Sequence, residues 1–280
     1  MDRKKKFIKK NALNKTPNNF FNMLPEEFRR LVKKGLDICT DGICEGYAHA
    51  NLIIVPKDYA FDLLLFCSLN YLNFSVLEIT EPGNPYTKFA ASKADIRTDL
   101  PGYRIYKKGI LTNEVTDISK YWRKNFVGFL INCTKSFEWI LRKCGISWIR
   151  YGLYVTNIPC VSNIKFYGKV IVTVREFYTA GDAFKATKIT SRHQLMQGPP
   201  IHIGDPLKIG VKNLVKQKKI TAFTEKNDNK KLDSKKTMVS WSSGATLKNV
   251  VLKSEIPIVI TNSPSHMLVT DKLLEELAVL

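Results

Sequence analysis

Pro199-Pro200-Ile201-His202-Ile203-Gly204-Asp205-Pro206 is a short β-branched run that stops abruptly in a turn or helix start. Gly204 permits backbone angles that other residues avoid, Pro206 suits the first helical position, and Asp205 stands where a helix N-cap belongs. The same arrangement recurs along the chain. Ser75-Val76-Leu77-Glu78-Ile79 runs into Thr80-Glu81-Pro82-Gly83, Phe126 to Ile131 into Asn132-Cys133-Thr134, Met238 to Trp241 into Ser242-Ser243-Gly244, and Pro257 to Thr261 into Asn262-Ser263-Pro264-Ser265-His266. Buried strands ending in polar loops and helix starts predict an α/β protein, and in open sheets of that class ligands bind where such loops converge. The expected architecture is a three-layer mixed sheet with helices on both faces, accompanied by a smaller α+β domain.

Upstream of that stretch, Pro25-Glu26-Glu27 opens a helix with acids in its first turn and an apolar stripe of Phe28, Leu31, Val32 and Leu36. Gly46 to Val55 reads as a buried strand and is followed by an apolar helix through Leu69, together one β-α unit. Lys107-Lys108-Gly109 is a hairpin turn, and Asp117 can cap a helix around Tyr121. Tyr154 to Val161 and Lys169 to Val174 are strands, with a helix over Thr179 to Ile189. This β-β-α block is expected to be an inserted domain over 121–199, within a main α/β domain formed by 19–120 and 200–280, with 1–18 a basic flexible tail.

A chain of 280 residues, 44% hydrophobic and 25% charged, is long enough to bury a full core. The six cysteines show no paired C-x-x-C spacing, and Cys67, Cys133 and Cys144 have apolar neighbours, which argues for free buried thiols rather than structural zinc. That usage suits a reducing compartment, the cytoplasm or, in a eukaryote, the mitochondrial matrix. The basic start lacks the apolar stretch of a signal peptide, and Leu63 to Cys67 is too short to span a bilayer, so a soluble protein with no membrane partner is expected. The net charge of +19 and the ten lysines between Lys208 and Lys236 raise nucleic acid as a secondary alternative. Against it, the only aromatic in that run is Phe223, and binders of nucleic acid combine basic residues with stacking platforms.

Six ordered stretches carry a family resemblance: Gly46 to Leu52, Leu77 to Gly83, Arg97-Thr98-Asp99-Leu100-Pro101, Thr156 to Cys160, His202-Ile203-Gly204-Asp205-Pro206, and His266-Met267-Leu268-Val269-Thr270-Asp271. Spanning Gly46 to Asp271, they resemble the D-glutamate cyclase family, whose bacterial members carry hydro-lyase as a provisional label. The resemblance implies a two-domain α/β protein that dehydrates D-glutamate reversibly to 5-oxo-D-proline, acting on a small amino-dicarboxylate or related acid with no organic cofactor. This chain departs from the family pattern at three places. His49 stands where the family has Gln, Ser243-Gly244-Ala245-Thr246-Leu247 replaces a Cys-Gly-Val-Thr-Pro-like turn, and Asn262-Ser263-Pro264-Ser265 replaces a His-Ala-Pro-Gly-like turn. A diverged relative that binds another small acid, without catalysis or with an altered substrate, is the alternative, and a homo-oligomer is compatible with either.

Cyclising glutamate requires holding its α-carboxylate, removing a proton from its ammonium group and stabilising the oxyanion formed before water leaves. Arg97 or Arg192 can hold carboxylate with paired hydrogen bonds, helped by Thr98 and Asp99 beside the first; the competing role for Arg97 is an ion pair with Asp95 or Asp99. For proton transfer the imidazole of His202 is apt, since histidine ordinarily titrates near ~6.5, with Asp205 or Glu81 to orient it. Asp205 can instead be a simple cap, and His202 a satisfied core histidine. Glu78 lies inside an apolar strand, where a carboxylate is either an acid/base group or one half of a buried ion pair. Asn157, Thr134 and Ser243 can present donors to an oxyanion or merely cap helices, and His266 can line the site or end its loop. A metal would need His202, Asp205, His266 and Asp271 to converge, and none is expected.

Overall fold

The computed structural model describes residues 18–196, 198–212, 214 and 236–279. The basic tail, apart from its last residue, and most of the lysine-rich run therefore lie outside the described residues. In chain order the elements are α1 (Pro25–Lys33), β1 (Tyr47–Pro56), α2 (Lys57–Leu69), β2 (Val76–Ile79), β3 (Tyr103–Lys107), β4 (Ile110–Val115), β5 (Phe126–Ile131) and α3 (Ser136–Lys143). Then follow β6 (Trp148–Pro159), β7 (Lys169–Phe177), α4 (Ala180–Ser191), β8 (His202–Ile203), β9 (Thr237–Ser242), α5 (Ala245–Lys253), β10 (Val259–Asn262) and β11 (Leu268–Leu273). Short 3-10 turns stand at Ser119–Tyr121 and Pro206–Ile209.

This α/β chain divides into two compact units, Met1–Phe61 with Val76–Ile131 and Val251–Glu276, and Asp62–Ser75 with Asn132–Val250 and Leu277–Leu280. The division differs from an insertion over 121–199. β5 belongs to the sheet of the first unit, and β8 and β9, expected in the main domain, belong to that of the second. Strand pairing is a long-range choice, and buried strands of similar composition do not reveal which sheet they join.

In the first unit the sheet runs β2-β5-β1-β10-β3-β4, with β11 also on β1. β1 and β2 run in the same direction but are separated by β5, which pairs antiparallel with both. β1 is long enough to serve two partners, its start meeting β11 at His49↔Val269 and its end meeting β10 at Ile53↔Thr261. α1 lays Phe28 and Val32 against Val269, Phe20 and Ile43, all buried; each fully buried side chain of this kind contributes about 1.5–3 kcal/mol.

The second unit is built on the sheet β6-β7-β9-β8, every pairing antiparallel. α3 and α4 cover one of its faces, burying Phe137, Leu141, Ala183 and Ala186 with Phe177, Val239 and Trp241. Trp241 keeps its polar edge satisfied by donating from Nε1 to the Thr190 hydroxyl at 3.1 Å. Thr179 caps α4, its hydroxyl accepting from the Asp182 N–H. Among the described residues no helix is long and apolar enough to cross a membrane.

Candidate functional site

In the second unit the opening octapeptide folds into a short strand and a capped turn. β8 pairs with β9, setting His202 directly opposite Ser240. Gly204 (φ 110) breaks the strand, and Asp205 caps the following 3-10 turn, its carboxylate accepting from the Leu207 N–H at 2.9 Å. The turn closes on Gly210 (φ 79), where an added Cβ would lie 3.0 Å from both N and Cβ of Asn157. Only glycine lets this turn rest on β6, and the contact brings Asn157 into the same neighbourhood as the loop that carries His202 and Asp205.

His202 is half-buried, with Nε2 2.9 Å from the carbonyl oxygen of Asp205. A carbonyl only accepts, so Nε2 carries the proton, and in the neutral ring Nδ1 holds a lone pair. That nitrogen has no hydrogen-bond partner among the described residues. Opposite it, the Ser240 hydroxyl is fully buried and has no hydrogen-bond partner among the described residues. His202 therefore offers a proton acceptor on a strand-turn frame, and Asn157 lies on the strand against which that turn packs.

The other expected residues of this unit have local partners. Ser243 starts α5, its hydroxyl accepting from the Ala245 N–H at 3.3 Å while its own N–H donates to the Ile171 carbonyl at 2.9 Å. Thr134 gives its carbonyl to Arg175 Nη2 at 3.5 Å. Arg192 is exposed, and its Nε donates to the Val279 carbonyl at 3.3 Å.

Sequence reasoning missed the charged centre of this unit. Arg175 on β7 is completely buried and donates from Nη2 and Nε to Glu138 Oε1, at 2.6 and 3.2 Å, and from Nη1 to the Thr173 hydroxyl at 2.9 Å. Its guanidinium stacks 4.6 Å from the Phe137 ring and 5.4 Å from that of Trp241. Arg150 completes the set at 3.1 Å from Glu138 Oε2. Burial pushes the Glu138 carboxyl up, but Arg175 and Arg150 together outweigh it and hold the group below the usual carboxylate range. The signal in sequence is a lone Arg-Glu pair, Arg175-Glu176, inside an otherwise apolar and hydroxyl-bearing strand.

In the first unit, Arg97 makes the ion pair with Asp95. Nε and Nη2 reach the two carboxylate oxygens at 2.9 and 2.7 Å, and the Arg97 N–H adds a third bond to Oδ1 at 2.9 Å. The hydrogen bond to Asp95 raises the Arg97 guanidinium still further above its ordinary value. Thr98 donates to Asp99, which is buried, accepts the Asp95 N–H at 3.0 Å and pairs with Lys33 at 3.1 Å. Burial raises the Asp99 carboxyl, against the pull of the Asp95 N–H and Lys33.

Glu78 holds a loop rather than a second charge: its two oxygens accept the backbone N–H groups of Lys88, Phe89 and Ala90 at 2.5, 3.1 and 2.6 Å. Glu81 forms an exposed ion pair with Lys88 at 2.7 Å, and the hydrogen bond from Lys88 lowers its carboxyl. His266 faces acceptors with both ring nitrogens, the Pro264 carbonyl at 2.7 Å and Asp37 at 3.2 Å. Among the described residues no three His, Cys, Asp or Glu side chains come together as metal ligands would.

Two departures from the family pattern acquire a local reason. His49 places Nε2 3.0 Å from the Ile43 carbonyl, a bond that a glutamine amide can also donate. Asn262 ties β10 to β1 by accepting the Leu52 N–H at 2.9 Å, and its amide also donates locally to the Ser263 carbonyl at 3.0 Å. Of the cysteines, Cys44, Cys67, Cys133 and Cys160 are buried, but Cys144 is exposed because it forms the C-cap of α3 rather than part of its apolar stripe. Burial pushes the thiols of Cys44 and Cys67 up to about 12 and that of Cys160 to about 11.

The family model for D-glutamate cyclase matches residues 127–271. YcsI of Bacillus subtilis (strain 168), which carries hydro-lyase as a provisional name, is 42% identical over 266 residues, covering 92% of this chain and 100% of its own length. The chain belongs to the D-glutamate cyclase family. A similarly named protein of Bacillus velezensis is 42% identical over 270 residues, 94% of this chain and 99% of that one. Another, from Thermoanaerobacter sp. (strain X514), is 39% identical over 260 residues, 90% and 95% of the two lengths. His202, Asp205, Asn157 and the Arg175–Glu138 pair all fall inside the matched segment of this D-glutamate cyclase relative.

Proposed function

We propose that this chain is a hydro-lyase that interconverts D-glutamate and 5-oxo-D-proline. The observation that supports the reading is the His202 ring, whose Nε2 is committed to the Asp205 carbonyl at 2.9 Å, leaving the Nδ1 lone pair as the proton acceptor. In the forward direction Nδ1 takes a proton from the substrate ammonium group, and the freed amine attacks the side-chain carboxyl carbon. The C–N bond forms, the second proton of the attacking nitrogen passes to a carboxyl oxygen to make it a hydroxyl, the tetrahedral oxyanion receives a hydrogen bond from Asn157, and as the C–O bond breaks the proton held by His202 joins the departing hydroxide as water. Asp205 is a positioning residue, since its carbonyl fixes the tautomer. Arg192, bonded through Nε alone among the described residues, keeps both Nη groups for the α-carboxylate, whereas Arg97 has Nε and Nη2 engaged by Asp95.

The test follows D-glutamate and 5-oxo-D-proline by proton NMR with wild-type protein and with His202→Gln. Loss of the general acid/base lowers the rate by about 10²–10⁴-fold, with the circular dichroism spectrum unchanged. Full activity in His202→Gln would overturn the assignment of the base, and no conversion by folded wild-type protein would overturn the substrate.

A further inference from the structure

Residues 132–196 of the second unit hold ten Lys and Arg against three Asp and Glu. Of these, Arg175, Glu138 and Glu176 are buried, so Asp182 is the one acid of the stretch that faces nine cations outside the core. Part of the excess lies on α3 and α4, which pack against each other. Their apolar sides face the sheet, with Phe137, Leu141, Ala183 and Ala186 in the core. Helical spacing then dictates what points outward. On α3 it is Trp139, Arg142 and Lys143, at i, i+3 and i+4; both cations are exposed, and the Lys143 Nζ lies 4.7 Å from the centre of the half-buried Trp139 ring. On α4 it is Phe184, Lys185 and Lys188, all exposed. Phe184 is 69% exposed, beside one lysine and one turn from the other, and takes no part in the core.

We propose that the outward side of α3 and α4 binds single-stranded nucleic acid, independent of the catalytic reading. Four exposed cations on two adjacent helices supply the positive surface that a phosphate backbone neutralises. Phe184 supplies a bare ring on which one base stacks, and Lys185 and Lys188 meet the phosphates on either side of that base. This combination of ring and cation is missing from the Lys208 to Lys236 run, where Phe223 is the only aromatic. The layout also selects among polyanions. A helix that lies in an anionic bilayer inserts a continuous apolar side, and the apolar sides of α3 and α4 are already buried in the core. A duplex keeps its base faces stacked on one another, whereas a single strand offers a flat face and a charge at every nucleotide.

The test is fluorescence anisotropy of a labelled mixed-sequence DNA single strand of about 12 nucleotides, titrated with the full chain over a range of salt concentrations. Wild type should bind, and more weakly as salt rises. Lys185→Ala/Lys188→Ala should make the slope of log K against log salt shallower by about 1.4, two phosphate contacts being lost at about 0.7 each. Phe184→Ala should weaken binding by about 5–150-fold, the range for one stacked base, and leave the slope unchanged. Lys107→Ala/Lys120→Ala removes the same charge from exposed positions of the other unit and should change neither. No binding by wild type, an equal loss in the two lysine pairs, or wild-type affinity in Phe184→Ala overturns the proposal. So does displacement of the labelled strand by polyglutamate or by phosphatidylglycerol vesicles as readily, charge for charge, as by unlabelled strand, which would make the occupant an acidic chain or a membrane.

Discussion

Replacing Glu138 by Gln removes the only carboxylate paired with Arg175 among the described residues; the Arg175 side chain is 0% exposed and that of Glu138 10%. At a charge separation near ~4 Å and an effective dielectric of about 20, the lost attraction is about 4 kcal/mol, in line with the about 3–5 kcal/mol cost of leaving one member of a buried pair uncompensated. With a urea slope of about 1–3 kcal/mol per molar, the midpoint should fall by about 1 M or more. Tryptophan fluorescence reads the event directly, because Trp241 lies 5.4 Å from the Arg175 guanidinium. The pair's effect also depends on pH. Arg175 and Arg150 hold the Glu138 carboxyl below its unfolded value, so the stability it adds is complete above the ordinary carboxylate range and disappears as pH falls through the depressed value. The gap between wild type and Glu138→Gln should therefore close on acidification. Glu138→Leu combined with Arg175→Met should recover most of the loss, since apolar replacements of buried pairs are often neutral. A midpoint for Glu138→Gln within about 0.3 M of wild type, about 0.3–0.9 kcal/mol at that slope, would refute this account of the unit's core.

Gly210→Ala should destabilise by about 1–3 kcal/mol, as strain at a positive φ and a 3.0 Å approach to Asn157 act together; because it pushes the capped turn off β6, activity should fall more than the melting temperature implies. Native-state alkylation at neutral pH, read by mass spectrometry, should label exposed Cys144 well before Cys67 and Cys160, whose buried thiols are pushed up to about 12 and about 11; early labelling of Cys67 would contradict its burial. Glu78→Gln turns one acceptor of the Lys88–Ala90 N–H groups into a donor; hydrogen exchange of those amides should accelerate at least ~10-fold, from bonds worth about 1.5–3 kcal/mol each, with α1 unaffected.

What the sequence made legible was local. The caps at Asp117 and Asp205 were readable because each binds an N–H two residues further on. The alternative pairing of Arg97 with Asp95 was readable for the same reason, being two residues apart. Glu138 and Arg175 are separated by 37 residues and meet only because α3 lies on the face of β7 that carries Thr173 and Arg175. No periodicity in either segment encodes that meeting. The sheet membership of β5, β8 and β9 was hidden in the same way, by pairings that depend on competing strands far along the chain. The grammar of His202-Ile203-Gly204-Asp205 marked the strand end and the capped turn that the chain forms there, but Asp205 engages His202 through its carbonyl rather than its carboxylate, and the neighbour that the turn reaches, Asn157, is fixed by the bare Cα of Gly210.

The central claim is that water is added to and removed from one carboxyl carbon of a D-configured substrate. The direct measurement is incubation of 5-oxo-D-proline, and separately 5-oxo-L-proline, with the protein in oxygen-18 water, followed by mass spectrometry of the glutamate formed. The account predicts glutamate carrying the heavy oxygen in its side-chain carboxyl group from the D compound alone, and little from either compound with His202→Gln. Unlabelled or absent glutamate with folded wild-type protein would contradict it.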